Sequence, residues 1–134
     1  MIRFKTAAIS SLVLLAALAG HLFAGELEYA LSVAAMERDL PKVKELLKKG
    51  ANPSIVNGRG VTDLMEVSGE GLLDVVKVLV ESGAKVDVQD KAGKTALMEA
   101  AGKGKLDVVR YLVEKGANVN TKMPSGTTAL MLAD

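Results

Sequence analysis

The sequence predicts an all-α fold: a short solenoid of helix–turn–helix units with protruding loops, behind an N-terminal signal peptide. Three observations carry this. Residues recur at a fixed interval of 33 positions through the body of the chain. Inside each interval the apolar residues follow helical spacing. Aromatic residues make up only 3% of the 134 residues and Trp is absent, so the core is built from Ala, Leu and Val, which suits closely packed helices.

The N-terminal segment comes first in the chain. Arg3 and Lys5 precede an uncharged run, Thr6 to Ala24, rich in Ala, Leu and Val. Ala17-Leu18-Ala19 and Leu22-Phe23-Ala24 both offer small-residue exits. A charged head, an apolar run and a small-residue exit make a secretory signal peptide. Cleavage is expected after Ala24, or after Ala19. An uncleaved anchor is the alternative, since the run approaches the roughly 20 residues a membrane span needs. Either way the body, residues 25–134, is exported, and the bacterial periplasm is the expected compartment, with secretion the other possibility.

The body repeats. Gly60, Gly93 and Gly126 share a register, as do Thr62, Thr95 and Thr128. So do Gly50-Ala51, Gly83-Ala84 and Gly116-Ala117, and so do Leu46, Leu79 and Leu112. The units run over about 26–56, 57–89 and 90–122, with a partial fourth at 123–134. In the clearest unit Thr95 caps a first helix whose inner face holds Leu97, Ala100 and Ala101. Gly102-Lys103-Gly104 breaks that helix. Leu106, Val109, Leu112 and Val113 form the inner stripe of a second helix, which ends at the left-handed cap Gly116. Asp90 and Gly93 are the turn residues of the connecting loop. In the preceding unit Ser68-Gly69-Glu70-Gly71 reads as the turn between the two helices.

In the first unit Asp39 caps the second helix and Pro41 falls in its first turn, where proline is tolerated. This unit holds Tyr29-Ala30-Leu31-Ser32 where later units have their Thr start, and it is charged at Lys42, Lys44, Glu45, Lys48 and Lys49. That suits a terminal repeat with one wet face. The fourth unit reaches only its first helix, with Leu130 and Leu132 apolar. A longer natural chain, an N-terminal fragment of which is seen here, is the expected reason; cover by a partner is the alternative.

The unit Asp90 to Asn120, DKAGKTALMEAAGKGKLDVVRYLVEKGANVN, resembles the ankyrin repeat. The family pattern has Asp-x-x-Gly-x-Thr-Pro-Leu-His, Ala-Ala, a mid-repeat Gly, Val-Val and Gly-Ala-x-x-Asn. This unit departs at Ala96 (for Pro) and Met98 (for His). The preceding unit departs further, at Asp63, Met65 and Val67-Ser68. The resemblance spans residues 26 to 134. It implies a scaffold that binds another protein on a concave surface of loops and first helices.

Chemistry is largely excluded. The chain has no Cys, so disulfides, thiolates and lipoprotein attachment are out. Its one His, His21, lies in the signal segment. Gly93-Lys94-Thr95 imitates a P-loop, but Val88 stands where that motif needs Gly. Glu66 and Glu99 are one period apart and read as surface decoration, not an acid–base pair. Met65, Met98 and Met131 recur as packing residues in place of the family's His. No enzyme activity, cofactor or metal is expected. Net charge is +1 overall and +1 − 2 = −1 without Arg3 and Lys5, which with few aromatics argues against nucleic acid. No membrane contact is expected beyond the signal peptide.

What remains is a protein partner. By the register of the resemblance, its candidate contacts are Arg59, Val61, Glu66 and Glu70 in one unit. Lys91, Lys94, Glu99 and Lys103 follow in the next, and Lys122 in the last. The cations on the loop side form a basic ridge suited to an acidic patch; a solvated charged face is the plainer alternative.

Overall fold

The structure is a computed structural model that describes residues 24–133. The expected signal peptide and His21 lie outside the described residues, except that Ala24 opens the first helix. The chain forms two units, Met1–Asn52 and Pro53–Asp134.

In the first unit α1, Ala24–Met36, packs on α2, Leu40–Lys48. Asp39 caps α2: its Oδ1 accepts from the Lys42 N–H at 3.2 Å, and Pro41 occupies the first turn. Leu31, Ala35, Val43 and Leu46 are fully buried. No capping residue interrupts Tyr29–Ser32, so α1 runs through them and reaches 13 residues, against 8 and 7 for the first helices of the next two repeats. Glu28 is buried, and its Oε1 accepts from the Asn52 N–H at 2.6 Å, which ties the end of the unit back to α1. On the exposed side of α2 a hydrogen bond from Lys49, and the charge of Lys42, hold the Glu45 carboxyl below its ordinary range.

The second unit contains α3 (Asp63–Glu70), α4 (Leu73–Glu81), α5 (Ala96–Gly102), α6 (Leu106–Glu114) and α7 (Ala129–Leu132). The first helices α3, α5 and α7 pack in a row, and α4 packs on α6. Capping explains the 33-residue Thr: Thr62 and Thr95 are buried, and each Oγ1 accepts a backbone N–H, from Met65 and Met98, at 3.2 Å. That satisfies donors the helix leaves open. Leu64 and Val67 in α3, and Leu97 and Ala100 in α5, form the core of this row.

The recurring Gly-Ala has an equally local cause. Gly116 sits at φ +89°. Its N–H donates to the Val113 carbonyl at 3.0 Å, and the Ala117 N–H donates to Leu112 at 2.9 Å. This is the paired-bond end of a helix in which the residue after the cap turns left-handed. A side chain there costs about 1–2 kcal/mol. Gly83-Ala84 and Gly50-Ala51 make the same two bonds after α4 and α2. The three alanines are buried.

Among the described residues there is no strand, only an isolated bridge between Val56 and Thr62. The all-helical expectation agrees with this. Three local expectations need correction. Ser68, Gly69 and Glu70 belong to α3, and the turn is made by Gly71, at φ +75°, with Leu72. Gly102 ends α5 from inside the helix, and the reversal falls on Gly104. The inner stripe of α6 is Val108, Tyr111 and Leu112, while Leu106 and Val113 are 61% and 44% exposed. An apolar pattern on both sides of a helix does not say which side meets its own partner helix. In α4 the counterpart of Val109, Val76, is fully buried, because α6 lies alongside α4. Among the described residues no second helix lies beyond α6.

Met65 and Met98 are buried to within 2% and pack in the core as expected, whereas Met131 is 62% exposed.

Among the described residues two buried hydroxyls lack hydrogen-bond partners: Ser68 Oγ in α3 and Tyr111 Oη in α6. A buried hydroxyl without a partner is a net cost. Ser68 occupies the register of Ala101, so Ser68→Ala removes the hydroxyl without opening a cavity. We expect stabilisation of about 1 kcal/mol and a Tm rise of about 5 °C by circular dichroism. An unchanged or lowered Tm would mean the hydroxyl is satisfied in solution.

Burial, and secondarily the negative charge of Glu81, raises the Tyr111 pKa. The neutral phenol is thus favoured in the folded state, and the unfolded chain ionises first. Stability from this group is complete at neutral pH and is lost as pH climbs through the alkaline range. Tyr111→Phe should therefore lose less stability than the wild type between about pH 7 and about pH 10.5, in parallel thermal melts.

Candidate functional site

Each repeat of the second unit presents a closed loop before its first helix. In the loop at 57–61 the Asn57 N–H donates to the Val61 carbonyl at 3.0 Å and the Gly60 N–H to Asn57 at 2.9 Å. Asn57 Oδ1 accepts from the Arg59 and Val61 N–H groups at 2.8 and 3.1 Å. The loop at 90–94 repeats this with Asp90, whose Oδ1 accepts from Ala92 and Lys94, both at 2.9 Å. A short Asx side chain that holds its own backbone is the reason for that residue type here. At 123–127 the position is Met123, and the Ser125 and Thr127 hydroxyls, 2.8 Å apart, do the bracing instead.

The loops also touch one another. The Lys91 N–H donates to the Arg59 carbonyl at 3.0 Å. Gln89 Nε2 donates to Gly93 at 3.0 Å within its own loop, and to the Lys122 carbonyl at 3.4 Å in the next. A Cβ on Gly93 would stand 2.7 Å from Pro124 Cδ, so this glycine is what lets adjacent loops approach. Behind the loops a second series of bonds joins the repeats: the Lys85 N–H to Ser54 Oγ at 2.9 Å, and the Asn118 N–H to Asp87 Oδ1 at 2.8 Å.

The residues singled out from sequence fall on this face, in two groups. Arg59 and Lys91 are exposed on two successive loops, Lys122 is exposed immediately before the third, and the loop-to-loop bonds bring Arg59 next to Lys91. Val61 is half-buried at the base of its loop. The others lie on the first helices. Glu66 and Glu99 are half-buried, while Glu70 on α3 and Lys103 at the end of α5 are exposed. Here the ridge read from sequence changes character. Lys94 Nζ is 3.3 Å from Glu99 Oε1, and Lys103 Nζ is 3.8 Å from Glu70 Oε1. Gly69 leaves room for this, since a Cβ there would lie 3.3 Å from Lys103 Nζ. The helix side is therefore a mixed, largely self-compensated strip, and of the cations singled out from sequence Arg59, Lys91 and Lys122 are left without an ion pair among the described residues.

Sequence reasoning missed Asn57 as a loop brace, although it stands 33 residues before Asp90 and the period alone reveals it. No local signal in the sequence marks the bond from Gln89 to the next loop. Elsewhere, an open groove of about 380 Å³ is lined by Leu97, Ala101, Val109, Val113, Val119 and Leu130 among others. Among the described residues no three of His, Asp and Glu gather to hold a metal, and no helix is long and apolar enough to cross a membrane.

Stacked pairs of short helices joined by edge-to-edge loops define a helical-repeat scaffold. The family model for ankyrin repeats (3 copies) matches residues 64–133, more than half of the chain, and the protein belongs to the ankyrin-repeat family. Such repeats are protein–protein interaction modules. No curated protein matches the chain.

The loop geometry is testable. Asp90→Ala removes the acceptor of two backbone N–H groups and should cost about 1–2 kcal/mol. It should also raise amide hydrogen exchange at Ala92 and Lys94, while exchange in α6 rises only by the global loss of stability. Uniform exchange changes across the unit would show that the loop has no separate brace.

Proposed function

We propose that this protein is an exported, non-catalytic binding module that holds a single protein partner against its loop row and first-helix face. The observation that carries the reading is the loop row itself. Three loops are braced internally by side chains, the first two are joined by the Lys91-to-Arg59 bond, and Gln89 bonds the Lys122 carbonyl at the start of the third, so the row forms a pre-ordered surface. Pre-ordering lowers the conformational cost of binding. The contact set is Arg59, Val61, Glu66, Glu70, Lys91, Lys94, Glu99, Lys103 and Lys122. The order of charge, apolar run and small residues over 1–24 supports export to the periplasm or beyond, and the cysteine-free composition suits an oxidising compartment.

Site-specific photo-cross-linking in the producing cell tests both parts. A cross-linking residue replaces Lys91 or Lys122 in the full chain, with Arg110, exposed on α6, as the comparison. Discrete cross-linked species are expected from Lys91 and Lys122 and not from Arg110. The mass of the recovered chain reads whether residues 1–24, or 1–19, have been removed. Cross-links from Arg110 alone would place binding on the second-helix side and overturn the assignment of this face. An unprocessed chain held in the cytoplasm would overturn export.

A further inference from the structure

We propose that the loop tips take an acidic segment of the partner protein, and that Arg59, Lys91 and Lys122 are the residues that read it. This rests on the binding-module reading and adds the chemistry of what is bound.

The argument begins with which charges are available. Of the five cations on this face, two are held by carboxylates of the same chain, Lys94 by Glu99 at 3.3 Å and Lys103 by Glu70 at 3.8 Å. A cation with a carboxylate within 4 Å projects little net field to a third charge, and what it projects is screened within about 10 Å. Arg59, Lys91 and Lys122 make no ion pair within the described residues. Their positive charge is the face's net offer to a partner.

Position is the second step. The Lys91 N–H bonds the Arg59 carbonyl, and Gln89 bonds the Lys122 carbonyl, so the backbones that carry the three cations are mutually fixed. The nearest acid in the loops, Asp90, turns Oδ1 onto the Ala92 and Lys94 N–H groups of its own loop. Below the tips stands Glu66, half-buried on α3 and without an ion pair among the described residues. An acidic segment is thus attracted along the tips and repelled from the first-helix face. A basic or neutral segment would face the opposite arrangement.

Third is the class of polyanion. Single-stranded nucleic acid is held by aromatic stacking as well as charge. No aromatic side chain stands on these loops; the two tyrosines are Tyr29 in α1 and Tyr111 in α6. With three cations and no stacking platform, a carboxylate-bearing peptide fits better than an oligonucleotide.

Fluorescence anisotropy with the full chain tests this, using a short labelled Glu-rich peptide as the probe. The peptide should bind, and binding should weaken as salt rises from about 50 to about 200 mM. The triple variant Arg59→Gln, Lys91→Gln, Lys122→Gln should weaken it about tenfold or more, and Lys122→Gln alone measurably. The double variant Lys85→Gln, Arg110→Gln, which neutralises two exposed cations outside the contact set, should change it less than about twofold. Far-ultraviolet circular dichroism confirms that each variant is folded. Equal losses from the triple and double variants, or no loss from the triple, overturn the proposal. So does tighter binding of an oligothymidylate or of phosphatidylserine vesicles than of the peptide. Should the wild type ignore the peptide while Lys91 still cross-links a protein in the cell, the acidic chemistry is wrong and the binding-module reading stands. Loss of both signals removes both.

Discussion

A pair of helices seven to nine residues long cannot hide its own apolar surface, and the second unit of this protein is organised by that constraint. Each first helix must lie against the next first helix and each second helix against the next second helix. The row α3, α5, α7 and the pair α4, α6 are the outcome. Leu64, Val67, Leu97 and Ala100 are buried only because the neighbouring repeat is there. The close approach limits side-chain size, which explains both the scarcity of rings and the glycine at 93, whose missing Cβ admits Pro124 of the following loop.

From stacking follows the loop row. Once first helices are held side by side, the segments leading into them are held side by side too, close enough for backbone bonds such as Lys91 to Arg59. Rigidity of the tips is thus a by-product of core packing, supplemented by Asn57 and Asp90. In the first two loops the brace is set by the Asx and Gly positions and does not use the tip side chains. The same logic accounts for the first unit. Without a capping Thr its first helix is long, and Glu28 supplies from α1 the acceptor for Asn52, as Ser54 and Asp87 do for Lys85 and Asn118 in the later repeats.

The family's usual residues are replaced at several core positions. Met65 and Met98 fill with thioethers the sites where the pattern has His, and both are buried. Ser68 stands where the next repeat has Ala101 and leaves its hydroxyl without a partner. The consensus is therefore not uniformly kept, and its relaxation falls on one repeat, the 57–89 unit, more than on the 90–122 unit.

The sequence by itself determined the period, the helix starts at Thr62 and Thr95, and the left-handed ends at Gly50, Gly83 and Gly116. Each of these depends on groups only a few residues apart, so local composition specifies them. Only the tertiary structure decided which side of α6 is inside, because Val108 and Val109 are both apolar and their fate depends on a helix one repeat away. It alone decided which lysines have a carboxylate beside them. Lys103 and Glu70 are 33 residues apart, and their approach is set by the stacking of α3 on α5. Charge pattern along the chain reports which residues are ionic, whereas cancellation between them depends on distances that only packing creates.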